Sequence, residues 1–386
     1  MSIHSTPEIL ERLVSMRSVF TDDDYQEITD FAADFLRGYG FTCHRLPGTR
    51  AGRAGLFASL GPAGPGGVLL SAHLDVVPVD GQDWTVDPFR MTRRQGRLYG
   101  RGTTDMKGFA AAALAAAARA STMPLKAPLK IAFSYDEEAG CVGMAEMIDS
   151  LDETVGLPDY CIVGEPTSMQ VATGHKGKRS YLMRFKGTPA HSASAPAYVN
   201  ALHIATDAVT ILRRLQADLA ERGARDEAYD VPYSTVHVGR MSGGTALNMV
   251  PDAAELEFEI RHLVTEDASR LVDGLRQEIE GTINRWRRIH PDAGATIEHV
   301  NSYPGIESSS DHDVIQFAMK LGCRGPATKV SYGTEAGFFK ERWGIPTIVC
   351  GPGDMTQGHK PDEFIEESQL SECDAMLDNL RTYLSK

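Results

Sequence analysis

No CxxC pair occurs among the six cysteines (Cys43, Cys141, Cys161, Cys323, Cys350 and Cys373), which lie scattered along 386 residues. In a chain of this length that pattern reads as reduced, mostly buried thiols rather than a disulfide framework. The opening stretch MSIHSTPEILERLVSM lacks the apolar core of a secretion signal and patterns instead as an amphipathic helix. The longest apolar run, FAAAALAAAARA (109–120), is too short and too rich in alanine to span a bilayer, so it is expected to be a tightly packed helix. Positive charge is in deficit. Lys and Arg number 39 against 52 Asp and Glu, a net charge of −13, which argues against nucleic acid and anionic membranes as partners. No G-x-G-x-x-G follows the early strand-like runs, which disfavours a dinucleotide-dependent oxidoreductase. No internal repeat or low-complexity tract is visible. A cytoplasmic, soluble protein is the expectation these absences leave.

What is present is a globular composition, 42% hydrophobic and 24% charged, in a chain long enough for two or three domains. Over the first half, apolar strand-like runs (66–79, 129–135, 158–165) alternate with helical patterns (105–120, 143–153). A further buried strand (345–353) and a closing helix (366–385) follow near the end. This predicts an α/β layer with a mainly parallel sheet. The middle differs. Half-exposed alternating strands at 180–187, 233–241, 253–262 and 295–301 are interleaved with long helices at 199–222 and 266–288. The order β-α-β-β-α-β is that of a ferredoxin-like α+β unit. The expected organisation is a first domain in two parts, 1–178 and 303–386, with the second inserted as 179–302.

Residues able to bind metal recur at the carboxyl ends of the strand-like runs. His73 follows VLLSA, Asp105 follows LYGRGTT, Glu137 and Glu138 follow IAFSYD, Glu165 ends YCIVG, and His359 comes soon after TIVCGPG. Ligands of open α/β sheets gather beyond the carboxyl ends of the strands, so these positions are expected to converge. A lone His or a DEE triplet is ordinarily a hydrogen-bonded or solvated turn residue; it is the repetition at strand ends that points to a site. Two imidazoles and three carboxylates, with no thiolate, suit borderline dications, zinc first, with cobalt or manganese allowed by the same ligand types. Five protein ligands exceed one catalytic tetrahedral site and suit two cations sharing a carboxylate. Such a pair would also supply counter-charge to the row Asp136-Glu137-Glu138. Asp75 lies two residues beyond His73, on the same face of an extended strand, and is placed to orient the imidazole through its other ring nitrogen.

In order along the chain, SAHLDVVPV, GRGTTDMKG, DEEAG, VGEPT, GTPAHSA, GGTALNMVP and the GH at 358–359 resemble the motifs of the M20 metallopeptidase and deacylase family. The resemblance covers about the whole chain. It implies His73 and Glu165 on one metal, Glu138 and His359 on the other, and Asp105 bridging. It implies Glu137 as general base and Asp75 as the orienting acid, leaving Asp136 a supporting or solvent-facing place. It further implies that the inserted domain is a lid carrying a homodimer interface. His191 in GTPAHSA would then reach a neighbouring active site and stabilise the tetrahedral oxyanion, and Asn248 and Arg261 would grip the substrate; Arg261 by itself reads equally well as a surface charge at a strand end.

Within that family SYGTEAGFF (331–339), GHKGKRS (174–180) and GEPTSM (164–169) resemble the acetylornithine deacetylase branch. Desuccinylases of succinyl-diaminopimelate typically carry Asp-Gly-Arg where this chain has Glu335-Ala336-Gly337. The resemblance implies removal of the acetyl group from N2-acetyl-L-ornithine, in arginine biosynthesis. Sibling activities on succinyl-diaminopimelate, acetylcitrulline, another N-acyl amino acid or a dipeptide stand as alternatives. Glu335 has two readings here: a partner for the substrate ammonium, or a carboxylate capping the helix that follows.

Overall fold

The computed structural model describes residues 5–308 and 313–386. The chain divides into two compact units. One comprises Met1–His175, Ile306–Val330 and Thr334–Lys386, and the other Lys176–Gly305 with Ser331–Gly333. The seams at 175/176 and 305/306 fall a few residues from the expected 178/179 and 302/303.

The first unit is built on a nine-stranded sheet. Its centre is four strands in the order Leu129–Ser134, Val68–His73, Tyr160–Pro166 and Thr347–Gly351, each parallel to its neighbour. The edge toward Ala54–Leu60 and Thr42–Pro47 is antiparallel. At the other edge Gln170–His175 pairs antiparallel with Thr347–Gly351 and Ile306–Glu307 and parallel with Arg324–Val330. The sheet is thus parallel at its heart and mixed at its margins. Val68–His73, Leu129–Ser134 and Thr347–Gly351 are buried at every position, because helices cover both faces; this explains why they are continuous apolar runs rather than alternating ones. The parallel arrangement has a direct consequence. His73 lies in register with Ser134, so the residues that follow both strands emerge at the same edge of the sheet, as do those at the end of Tyr160–Pro166.

The alanine-rich run forms the helix Gly108–Ala120, buried at every position except Arg119. Small side chains let it approach the sheet closely. At Gly164 the approach is closest: a Cβ there would sit 1.9 Å from the Phe109 ring. Asp105 does not belong to that helix, although a helix over 105–120 is what the sequence pattern predicts. It lies in a tight turn, Thr103–Lys107, where Asp105 and Met106 have non-helical backbone angles and the peptide between them is cis.

The second unit contains a four-stranded antiparallel sheet in the order Thr235–Gly243, Ala253–His262, Gly177–Lys186, Gly294–Tyr303. Helices Ala201–Arg222 and Ala268–Trp286 enclose with it a core of its own, centred on Met183, Leu256, Ile260 and Ile283. In Ala253–His262 alternate residues are buried, the signature of a sheet covered on one face. The helices begin where short polar side chains cap them: Asn200 Oδ1 accepts from the Leu202 amide, and Asp267 Oδ1 from the amides of Ser269 and Arg270. The unit therefore has the β-α-β-β-α-β order read from its hydrophobic pattern.

Gly164→Ala is expected to displace the Phe109 ring and destabilise the first unit by about 1–3 kcal/mol. A lowered urea midpoint, partly restored by adding Phe109→Leu, would show it; an unchanged midpoint would mean the helix can retreat freely.

Candidate metal centre

The strand-end residues of the first unit converge. His73, Asp105 and Glu165 offer ligand atoms all within 4.8 Å of one another, and so do Asp105, Glu138 and His359. Asp105 belongs to both groups. Its Oδ1 lies 3.2 Å from His73 Nε2 and its Oδ2 3.1 Å from His359 Nε2, so one carboxylate faces two imidazoles, one oxygen to each. Glu165 Oε1 stands 4.0 Å from His73 Nε2, and Glu138 lies 3.1 Å from His359 Nε2. His73, Asp105 and Glu165 are buried and the Glu138 side chain is nearly so, whereas the His359 side chain is 44% exposed, so the cluster opens to solvent on that side.

His73 Nε2 is free to face the cluster because Nδ1 is engaged behind it. The nearest acceptor for Nδ1 is the carbonyl oxygen of Asp75 at 3.0 Å, with the Asp75 carboxylate at 3.6 Å. That carboxylate also accepts from the Glu138 amide at 3.1 Å, so Asp75 joins the strand carrying one histidine to the turn carrying the two glutamates. Adjacent in the chain, Glu137 and Glu138 are held apart by the turn: amides of Gly140 and Cys141 return to the Glu137 carbonyl, and Gly143 packs so tightly that a Cβ would sit 2.0 Å from the Tyr135 oxygen. Glu137 accepts from the Cys141 thiol at 3.1 Å.

Asp136 is not solvent-facing. It is buried, with a left-handed backbone (φ 49), and accepts from the Tyr25 hydroxyl at 2.6 Å and the Arg53 guanidinium at 2.9 Å. Arg53 is itself buried and donates further to the carbonyls of Phe20, Asp22, Asp23 and Gly52, while lying over the Tyr25 ring. The first member of the acidic triplet thus anchors the turn through a buried cation, and the other two are left to the site.

Burial is the main cause of the carboxylate shifts. It pushes Glu137 up to about 8 and Glu138 up to about 7, each raised further by a neighbouring carboxylate. Glu165 moves in the same direction. The bonds from Asp105 and then Glu138 raise His359 to about 10. Burial opposes it, but Asp105 and the surrounding carboxylates also hold His73 well above its ordinary value. This is a site short of positive charge. The nearby buried cations are bonded elsewhere, Arg53 to Asp136 and Lys107 to the carbonyls of Leu13 and Met16. Dications between the two ligand groups would reverse the carboxylate shifts, and the donor set, nitrogen and oxygen without sulfur, is one that zinc, cobalt or manganese accepts. The residues fit a metal pair.

Three expected residues lie in the second unit. His191 and Asn248 are neighbours there, since Ala190–His191 pairs with Met249–Val250 and the Ser192 amide donates to the Asn248 carbonyl at 3.0 Å. Both are exposed. His191 Nδ1 accepts from the Ala193 amide, which leaves Nε2 to carry the proton. Arg261 is half-buried, donating to Glu259 at 2.8 Å and to the Tyr303 hydroxyl at 3.2 Å. In the first unit, Glu335 does not cap the following helix; Thr334 does, its hydroxyl accepting from the Ala336 amide at 3.0 Å. The Glu335 carboxylate is buried beside Ser71, close enough to His73 and Asp75 to feel their charges, and burial pushes it up to about 7.

The sequence reading passed over Tyr25, Arg53, Arg101 and Glu363. Arg53 and Tyr25 carry no local signal, because their partner is more than eighty residues away. Arg101 and Glu363 did leave one: charged residues inside GRGTTDMKG and GHKPDE, stretches otherwise committed to the site.

A mixed α/β unit that brings two histidines and three carboxylates together fits a class, the metal-dependent hydrolases. The profile of Peptidase family M20/M25/M40 matches residues 69–381, and the chain belongs to that family. It is 35% identical over 368 residues to the acetylornithine deacetylase of Shigella sonnei, covering 93% of this chain and 92% of that one. Its fold is similar to an M20 metallo-carboxypeptidase, Sso-CP2, from Sulfolobus solfataricus (TM-score 0.78, 18% identity, 98% of each chain). It is also similar to YXEP of Bacillus subtilis, a dinuclear metal-binding M20 peptidase (TM-score 0.67, 15% identity, 98% and 97% of the chains). The protein is accordingly a hydrolase of amide bonds.

Metal uptake should release protons. Below its raised value His359 is protonated and must lose that proton to become a ligand, as must any glutamate of the cluster that is protonated. Apparent zinc affinity is therefore expected to rise between about pH 6 and pH 8, by about tenfold per pH unit for each proton displaced. Calorimetry in buffers of different ionisation enthalpy measures the protons; a pH-independent affinity would contradict the ligand assignment.

Proposed function

We propose that this chain is a dinuclear zinc amidohydrolase that removes the acetyl group from N2-acetyl-L-ornithine, giving ornithine and acetate, a cytoplasmic step of arginine biosynthesis. The observation that carries the choice of substrate is the likeness, along nearly the whole chain, to a protein named acetylornithine deacetylase. The GTEA sequence at 333–336 agrees with that branch.

In this reading His73 and Glu165 would hold one cation, Glu138 and His359 the other, with Asp105 shared between them. When bound, such a pair would supply an electrophile for the amide oxygen and lower the pKa of water toward ~7. Glu137, buried and turned away from Asp136 by the same turn, is the base. Outside both ligand groups, its carboxylate is free to take a proton from water and give it up again to the departing amine. His191 donates from Nε2 to the developing oxyanion, a stabilisation commonly worth about 2.7–4 kcal/mol. Asn248, adjacent to it on the same ladder, and Arg261 grip the substrate. The burial of Glu335 supports a role in the electrostatics of the cluster over direct contact with a substrate ammonium. The inserted unit serves as lid and as the interface of a homodimer.

Glu137→Gln should keep its metals and lose about 10²–10⁴-fold in kcat. Near-normal turnover with metals bound would remove Glu137 from the role of base. The substrate is decided by a panel of acetylornithine, acetylcitrulline, succinyl-diaminopimelate and dipeptides on zinc-reconstituted protein. The highest kcat/KM is expected for acetylornithine, and preference for a neutral acyl amino acid or a dipeptide would overturn that assignment.

A further inference from the structure

The carboxylate of Glu363 is shut away from solvent, outside both ligand groups, and surrounded by donors. Its Oε1 accepts from the amides of Thr104 at 2.9 Å and Asp105 at 3.1 Å. Its Oε2 accepts from the amide of Gly102 at 3.0 Å and the Arg101 guanidinium at 2.7 Å. All four donors belong to residues 101–105, the segment whose irregular backbone presents Asp105 to both histidines. Glu363 itself is four residues beyond His359. The link back to that histidine is closed twice more. Arg101 donates to the Lys360 carbonyl at 3.3 Å and to Gln82 Oε1, and Gln82 Nε2 donates to the His359 carbonyl at 2.9 Å. Arg101 also lies over the Trp84 ring, 5.0 Å from its centroid.

We propose that Glu363, with Arg101 as its counter-ion, is a positioning residue for the metal pair: it sets the shared carboxylate of Asp105 against the imidazole of His359. The inference rests on the dinuclear reading above. The chemistry requires a carboxylate at 363. An ionised carboxylate is acceptor-only, with about four lone-pair sites, and here it meets four donors. An amide would turn its NH2 group toward two of them. Neutral Gln therefore keeps the shape and breaks half of the clamp, while Arg101→Lys keeps the charge and loses the guanidinium fork that reaches Glu363, Lys360 and Gln82 together. Outer partners of this kind typically tune metal affinity by about 10–100-fold.

The test is zinc titration of the metal-stripped full-length protein against a chromophoric chelator, for wild type, Glu363→Gln and Arg101→Lys, with far-UV circular dichroism and thermal midpoints alongside. With folded spectra in both variants, at least one zinc equivalent is expected to bind about 10–100-fold more weakly. Lost kcat should return with excess zinc while KM holds. If both variants take up two equivalents with wild-type affinity, the proposal is overturned, whatever happens to the thermal midpoint, because Glu363 would then be structural only. Should Glu363→Gln not fold, Arg101→Lys decides by the same titration. Wild-type protein that binds a single equivalent would overturn the dinuclear reading itself, and this inference with it.

Discussion

Negative charge concentrated at one edge of a parallel sheet is the constraint on which the first unit turns. Asp75, Asp105, Glu137, Glu138 and Glu165 are all buried or nearly so, with two imidazoles for company. Burying like charges costs several kcal/mol apiece unless a counter-charge is at hand. The raised values of Glu137, Glu138 and Glu165 express that cost, and the raised values of both histidines show where the available protons go. A dication pair would remove the conflict. The fold brings the conflict about in the first place, since parallel strands present all their carboxyl ends on the same side.

Much of this was legible because the signals were local. Val68–His73, Leu129–Ser134 and Tyr160–Pro166 are short apolar runs with a polar residue at the end, and a parallel sheet makes three such runs into one site. The ferredoxin-like order of the second unit followed from strands that alternate, as Ala253–His262 does, between helices with short polar caps. Asp105 was harder. The pattern predicts a helix from 105, but the regular helix starts at Gly108, because the preceding segment is bent to serve two histidines at once. Glu335 was misjudged in its capping reading for a different reason. A carboxylate just ahead of a helix is a common cap, and only the packing reveals that Thr334 occupies that role while Glu335 turns inward. Asp136 likewise cannot be told from a solvated turn residue without its distant partners, Tyr25 and Arg53.

The acidic triplet at 136–138 illustrates a division of labour that the backbone enforces. Three consecutive carboxylates cannot all face one cluster. The left-handed conformation at Asp136 sends its side chain to Arg53, while the tight turn closed on Glu137 separates the two glutamates. The outcome is one carboxylate that anchors, one that sits beside the Cys141 thiol, and one that meets His359. Adjacency in sequence thus delivers three distinct environments within a single turn.

Among the described residues, three buried basic side chains near this site, Arg53, Arg101 and Lys107, are bonded to partners outside its ligand set. Arg53 is taken up by Asp136 and backbone carbonyls, Arg101 by Glu363 and the carbonyl of Lys360, and Lys107 by the carbonyls of Leu13 and Met16. Had any of them bridged Asp105 or Glu138, the cluster would be neutralised by a fixed charge and its affinity for a metal lost with it. Arg53 instead secures the 136–138 turn and Arg101 the 101–105 segment, while Lys107 ties the start of the alanine-rich helix to the carbonyls of Leu13 and Met16. Guanidinium groups suit this work, because one fork can satisfy a carboxylate and several carbonyls at once. Positive charge is spent on holding the backbone still, and the negative charge of the ligands is left uncompensated. A site built in this way keeps its carboxylates paired with imidazoles alone, a donor set open to a dication.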